Sequence, residues 1–184
     1  MIPSFLYWIL ISFEFFFVFG IALYMFFLIY SSAMGSPYVP SKKKQLEEIL
    51  GSIPFKKKMK FLDLGCGDGR VVMSVARRYG VQAVGVDINP MVIAWARLKT
   101  RLARLTKVEF RVENIFKTKL ENFDVVFLFL MPKLLLELKP KLLREAKKNA
   151  LFISHGFKIE GWDKYRYKTL SGTPFPTYFY RLSK

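Results

Sequence analysis

The chain has 184 residues, 52% hydrophobic and 17% aromatic, which suits one packed domain and excludes intrinsic disorder. Its net charge is +16, yet residues 1–40 hold a single charge, Glu14, so the other 144 residues carry 30 basic and 13 acidic side chains, a net +17. An apolar segment precedes a basic one, and the lone Cys66 excludes an internal disulfide and any disulfide-stapled secreted scaffold.

Residues 5–30 contain one charge in 26 positions. A helix of that length, rising ~1.5 Å per residue, exceeds the ~30 Å hydrocarbon core of a bilayer, which predicts one transmembrane helix. No Lys or Arg precedes it, while Lys42, Lys43 and Lys44 follow; retention of positive flanks inside predicts a single-pass protein whose basic part faces the cytoplasm. The competing reading is a cleaved signal peptide with Ser31 and Ala33 near the cleavage point, against which stand the length of the stretch and the missing basic n-region. Glu14 lies about ten residues into the span, where a charged carboxylate costs about 2 to 3 kcal/mol. It is expected protonated or near the interface, a polar contact with a partner helix being the functional alternative. The phenylalanines at 15–17, 19, 26 and 27 are read as lipid-facing bulk.

Gly35, Pro37 and Pro40 stop the helix and mark a linker, dividing the chain into an anchor, residues 1–34, and a domain, residues 35–184. Ser41 suits the N-cap of a short amphipathic helix that buries Leu46, Ile49 and Leu50 and ends at Gly51. Beyond it, short apolar runs alternate with helical spacings. Strands are predicted at 61–64, 81–86, 108–112, 124–130 and 150–154, with helices at 71–79, 90–103 and 133–148. Residues 165–170 and 177–182 are joined through Gly172, Pro174 and Pro176 without a helix. The fold class is therefore α/β: a seven-stranded, doubly wound, Rossmann-like sheet with an antiparallel C-terminal hairpin, preceded by one transmembrane helix.

The informative segment is Asp63-Leu64-Gly65-Cys66-Gly67-Asp68-Gly69-Arg70, three glycines between a buried strand and a helix. Glycine allows close approach of a ligand and positive φ, and the helix N-terminus offers free N–H groups. The spacing is G-x-G-x-G, whereas a nicotinamide fingerprint would be G-x-G-x-x-G. At the end of the second strand stands Asp87, where a carboxylate can accept from both hydroxyls of a ribose; the structural alternative is a helix cap ahead of Pro90.

Phe61 to Arg70, Val86-Asp87-Ile88-Asn89-Pro90, Glu113-Asn114-Ile115-Phe116 and Phe129-Leu130-Met131-Pro132 resemble the motifs of class I S-adenosylmethionine-dependent methyltransferases. Pro37-Tyr38-Val39-Pro40-Ser41, Ser154-His155-Gly156-Phe157 and Gly161-Trp162 narrow the resemblance to small protein-lysine methyltransferases, archaeal broad-specificity enzymes and the membrane-anchored mitochondrial enzyme acting on the ATP synthase c-subunit. The resemblance spans residues 35–182. It implies S-adenosyl-L-methionine as cofactor, with Gly65, Gly67 and Asp68 at the methionine end beside Asp63, Asp87 on the ribose, and Asn114, Ile88 and Phe116 around adenine. It also puts Tyr38 near the transfer site. Relatives often carry Ser at the place of Cys66 and Glu at that of Asp87. Cys66 is read as packing, with a reactive thiol as the alternative.

Transfer of an activated methyl requires alignment and exclusion of water rather than a catalytic triad or a metal. A lysine acceptor, with a free pKa of about 10.4, must first lose its proton, which favours a partly apolar channel. Tyr38 and Phe129 are the expected walls, with Leu130 and Pro132 shaping the opening. His155 ends the fifth strand, as a general base or as a structural or positioning group, and Trp162 lines the acceptor groove or packs in the core. The +17 domain repels lysine-rich targets. It fits an anionic membrane surface, through Lys42 to Lys44 and the basic run at 56–60, or a solvated face such as Lys139, Lys141, Arg144, Lys147 and Lys148. The expected partner is a protein with an accessible lysine, membrane-bound or brought close by the anchor. Small-molecule or lipid amine methylation follows. Nucleic-acid methylation comes third, because the fourth strand lacks an Asp/Asn-Pro-Pro-aromatic signature; a cofactor-binding membrane adaptor is the non-enzymatic alternative.

Overall fold

The computed structural model describes residues 4–33, 43–172 and 174–183. Helix α1, Ser4–Ala33, contains the apolar stretch Ser4–Phe27, long and apolar enough to cross a membrane by length and composition, and this stretch is not buried against the rest of the protein. Tyr38, with the rest of the Pro37 to Ser41 motif and Lys42, lies outside the described residues. Helix α2, Lys43–Gly51, buries Leu46, Ile49 and Leu50 as their spacing predicts.

The domain then follows as β1 (Lys60–Leu64), α3 (Arg70–Tyr79), β2 (Gln82–Asp87), α4 (Pro90–Leu102), β3 (Val108–Val112), β4 (Val125–Leu128), α5 (Pro132–Glu145), β5 (Leu151–His155), a 3-10 turn (Asp163–Tyr165), β6 (Arg166–Leu170) and β7 (Thr177–Arg181). The sheet order is β3-β2-β1-β4-β5-β7-β6. Pairing is parallel from β3 to β5, and β7 runs antiparallel to both β5 and β6. Helices cover both faces, so the central strands are mostly apolar and buried along nearly their whole length. The period of two divides them between two cores: Phe61, Val125 and Phe127 pack with α2, α3 and α4, whereas Leu62, Leu64, Val126 and Leu128 pack with α5.

Local chemistry sets the helix ends. Gly80, at φ +62°, closes α3 with its N–H on the Ala76 carbonyl. Asn89, not Asp87, caps α4, its side chain accepting from Met91 N at 2.9 Å ahead of Pro90 at the first helical position. The expected solvated lysine face at 139–148 is corrected in two places. Lys141 is buried and its ammonium pairs with Glu145 one turn on, and α5 ends at Glu145, so that Lys147 bonds Asp124 at 2.6 Å instead.

Candidate active site

The carboxyl ends of β1 and β2 meet at the glycine loop. Gly65 and Cys66 donate their backbone N–H groups to the Val86 carbonyl, both at 2.9 Å, tying the loop to the neighbouring strand. Gly65, Gly67 and Gly69 all have positive φ, and a Cβ at Gly69 would stand 2.3 Å from the Phe110 ring. Both the turn and the close packing therefore require glycine.

Three carboxylates surround this loop. Asp63 is fully buried, and burial, reinforced by the neighbouring charges of Asp87 and Asp68, pushes its pKa well above the usual range. Burial also raises the pKa of Asp87, outweighing the backbone N–H groups that bond it. Its Oδ2 accepts from Gly67 at 3.0 Å and its Oδ1 from Asn89 at 2.9 Å. For Asp68, burial works upward but is outweighed by hydrogen bonds and charge from Arg70 and Lys99, which hold the carboxyl at about 2. Arg70 bonds both of its oxygens, at 3.0 and 3.1 Å, and Lys99 reaches from α4 to 2.8 Å.

The Glu113 N–H donates to the Asp87 carbonyl at 2.9 Å, bringing the turn after β3 to the same edge. There Asn114 turns its Oδ1 onto the Phe116 N–H at 2.9 Å, Phe116 is exposed and Ile88 is half-buried. The sequence-predicted residues Asp63, Gly65, Gly67, Asp68, Asp87, Ile88, Asn114 and Phe116 thus share one end of the sheet.

Beside it, at the ends of β4 and β5, His155 and Phe129 lie 4.5 Å apart between ring centroids, and Phe175 from the hairpin turn completes the cluster at 5.6 Å from Phe129. His155 is buried, and burial lowers its pKa to about 4, so the imidazole is neutral near pH 7. Its Nδ1 shares a hydrogen bond with Thr177 Oγ1 at 2.8 Å. Pro132 is exposed at the start of α5. Leu130 and Trp162 are different. Both are fully buried in the α5 core, Trp162 packed edge-on against Phe152, Tyr165 and Tyr180, so neither lines an opening. Cys66 is buried, and burial pushes its thiol pKa up, which favours the packing role.

The sequence reading missed Lys99, Phe175 and Thr177. Pro174 and Pro176 flank Phe175 and marked the turn, but only the pairing of β7 with β5 brings that turn over His155.

A doubly wound sheet in this order, with a glycine loop after β1 and an acid ending β2, defines an S-adenosylmethionine-dependent methyltransferase of class I. Residues 63–166 match the ANTKMT methyltransferase domain, and the chain belongs to that family. A protein-lysine N-methyltransferase of Saccharolobus islandicus is 35% identical over 134 residues, 69% of this chain and 80% of that enzyme. The human lysine N-methyltransferase of the ATP synthase c-subunit is 29% identical over 127 residues, 68% of this chain; the chain spans only 54% of that relative's length. Among solved structures, an RNA methyltransferase from Salinibacter ruber in complex with S-adenosyl-L-homocysteine superposes with a TM-score of 0.75 at 28% identity, covering 79% of this chain and 95% of the other.

The site fits the cofactor on its own chemistry. S-adenosylmethionine carries a sulfonium and an ammonium, and a cationic ligand would relieve the burial and like-charge cost that raise the pKa of Asp63, whereas Asp68 is already paired with Arg70 and Lys99.

Proposed function

We propose that the chain is a protein-lysine N-methyltransferase whose residues 1–34 anchor it in a membrane, with the domain at residues 35–184 on the cytoplasmic side. The observation that carries this reading is the 35% identity to a protein-lysine N-methyltransferase across 80% of that enzyme. The anchor is supported by the unburied apolar stretch Ser4–Phe27 and by the lysines that follow it.

In this reading Gly65, Gly67, Asp63 and Asp68 hold the methionine end, Asp87 the ribose, and Ile88, Asn114 and Phe116 the adenine. When bound, the cofactor supplies a methyl group on a sulfonium, already activated for displacement by an amine nitrogen. Tyr38 and Phe129 wall the acceptor channel, Pro132 flanks its mouth, and His155, whose ring meets that of Phe129 edge-on, positions Phe129. An aromatic wall excludes water and lowers the pKa of an entering ammonium, which favours the neutral nucleophile.

The test incubates membranes with radiolabelled S-adenosylmethionine and the wild-type, Asp87→Ala or Gly67→Arg chain. Label in lysine of a protein band with wild type alone supports the proposal. A second reading, RNA methylation, is favoured by the match to an RNA methyltransferase and by the basic domain. Label in the RNA fraction alone would select it.

A further inference from the structure

Helix α4 packs through Ile93, Ala96 and Thr100, and its opposite side carries a second apolar stripe. Met91 is 37% exposed, Trp95 55%, Leu98 46% and Leu102 75%. Their spacing of four, three and four residues aligns them along one face. A row of four large apolar side chains on water marks an interaction surface rather than scattered exposure.

Three features say what covers it. First, Asn89 at the start of α4 donates from Nδ2 to the Phe27 carbonyl at 3.3 Å, so the stripe begins where the apolar stretch Ser4–Phe27 ends. Second, α4 contains no acidic residue, and the exposed side chains of Arg101 and Arg104 flank its last turn. Third, the loop leaving α4 lines a groove of about 550 Å³ together with Lys57, Lys58 and Lys60; Thr106 and Lys107 are its contribution, and Glu109 is the groove's one acid among the described residues. An apolar stripe with a tryptophan, basic at one end and continuous with an apolar helix at the other, matches the physics of an interfacial helix.

We infer that the outer face of α4 rests in the headgroup region of an anionic bilayer, with Met91, Trp95, Leu98 and Leu102 reaching the acyl boundary and the lysine-lined groove meeting lipid phosphates. This rests on the anchor reading above. Crossover helices run antiparallel to the strands they join, so a domain resting on α4 lays its strands along the membrane. Asn89, bonded to both the anchor and Asp87, then holds the cofactor edge beside the point where the anchor emerges. An acceptor lysine at the headgroup level of a membrane protein is the substrate position this orientation serves.

The experiment places an environment-sensitive fluorophore at Leu98→Cys, Val18→Cys or Leu136→Cys in the full chain, in vesicles of phosphatidylcholine and phosphatidylglycerol in equal parts, with nitroxide-bearing lipids as quenchers. Buried Cys66 does not compete for the label. Leu136 is exposed on α5, across the sheet from α4. The expected result is quenching at positions 18 and 98 by about twofold or more, and none at 136. Quenching at 18 without quenching at 98 overturns the inference, including a blue-shifted but unquenched label that would report a second copy covering α4. Equal quenching at 98 and 136 also overturns it. No quenching at 18 overturns the anchor reading, and this inference with it.

Discussion

Asp87 Oδ2 accepts the backbone N–H of Gly67 at 3.0 Å, so the acid that ends β2 itself holds the glycine loop. Its other oxygen accepts from Asn89, so one side chain braces the loop and the entry to α4. Asp87→Asn keeps the shape but loses the charge and one acceptor oxygen, and a hydrogen bond to a charged group contributes about 1.5 to 3 kcal/mol. Amide exchange at Gly67 should accelerate by roughly 10 to 100-fold while that of the β4 amides stays unchanged. An unchanged Gly67 rate would remove Asp87 from that role.

Gly69 and Gly80 both sit at positive φ, but only Gly69 faces a ring, with its Cβ position 2.3 Å from Phe110. Gly80→Ala should cost about 1 to 2 kcal/mol from backbone strain alone. Gly69→Ala adds overpacking, for about 2 to 5 kcal/mol in all. Urea denaturation of the two variants in detergent checks the order, and equal losses would contradict the close packing.

His155 has a folded pKa of about 4 against 6.5 when unfolded. The unfolded chain therefore binds the extra proton between those values, so this group's stabilisation is full above pH 6.5 and is lost as pH falls towards 4. The contribution is about 3 kcal/mol. His155→Gln should show a smaller stability gain than wild type between pH 4 and 6.5, measured as the difference between their denaturation curves. A neutral His155 also predicts no limb near pH 6.5 in kcat/KM that the variant abolishes.

Trp162 is fully buried, and its indole N–H has no hydrogen-bond partner among the described residues. Replacing it with Phe removes an unsatisfied donor while leaving a ring, so Trp162→Phe should cost about 1 kcal/mol and Trp162→Ala about 3 to 5 kcal/mol. Thermal unfolding of both checks these losses, and a KM for the acceptor left unchanged in the folded variants separates core packing from substrate contact.

The parallel half of the fold was legible because each strand is a short, mostly apolar run between helical spacings, and Gly80 and Pro90 mark helix ends where backbone chemistry demands them. The antiparallel end was legible from Pro and Gly replacing a helix between two strands. The tight glycine loop after β1 was legible for the same local reason. What the sequence hid was long-range: Lys99 on Asp68, Thr177 on His155 and Lys141 in the α5 core each depend on which face a residue takes after packing. Leu130 was expected to shape the opening and Trp162 to line the groove or pack in the core; both are buried with α5, which depends on the long-range packing of the sheet face rather than on local pattern.

The loop after β1 and the acid ending β2 are the proposed cofactor seat. Calorimetric titration of S-adenosyl-L-homocysteine into the full chain in detergent tests it directly. Saturable binding to one site is expected in wild type, weakened about 10 to 100-fold in Asp87→Ala. Folded wild-type protein giving no heat, or an Asp87→Ala chain binding as tightly as wild type, would contradict it.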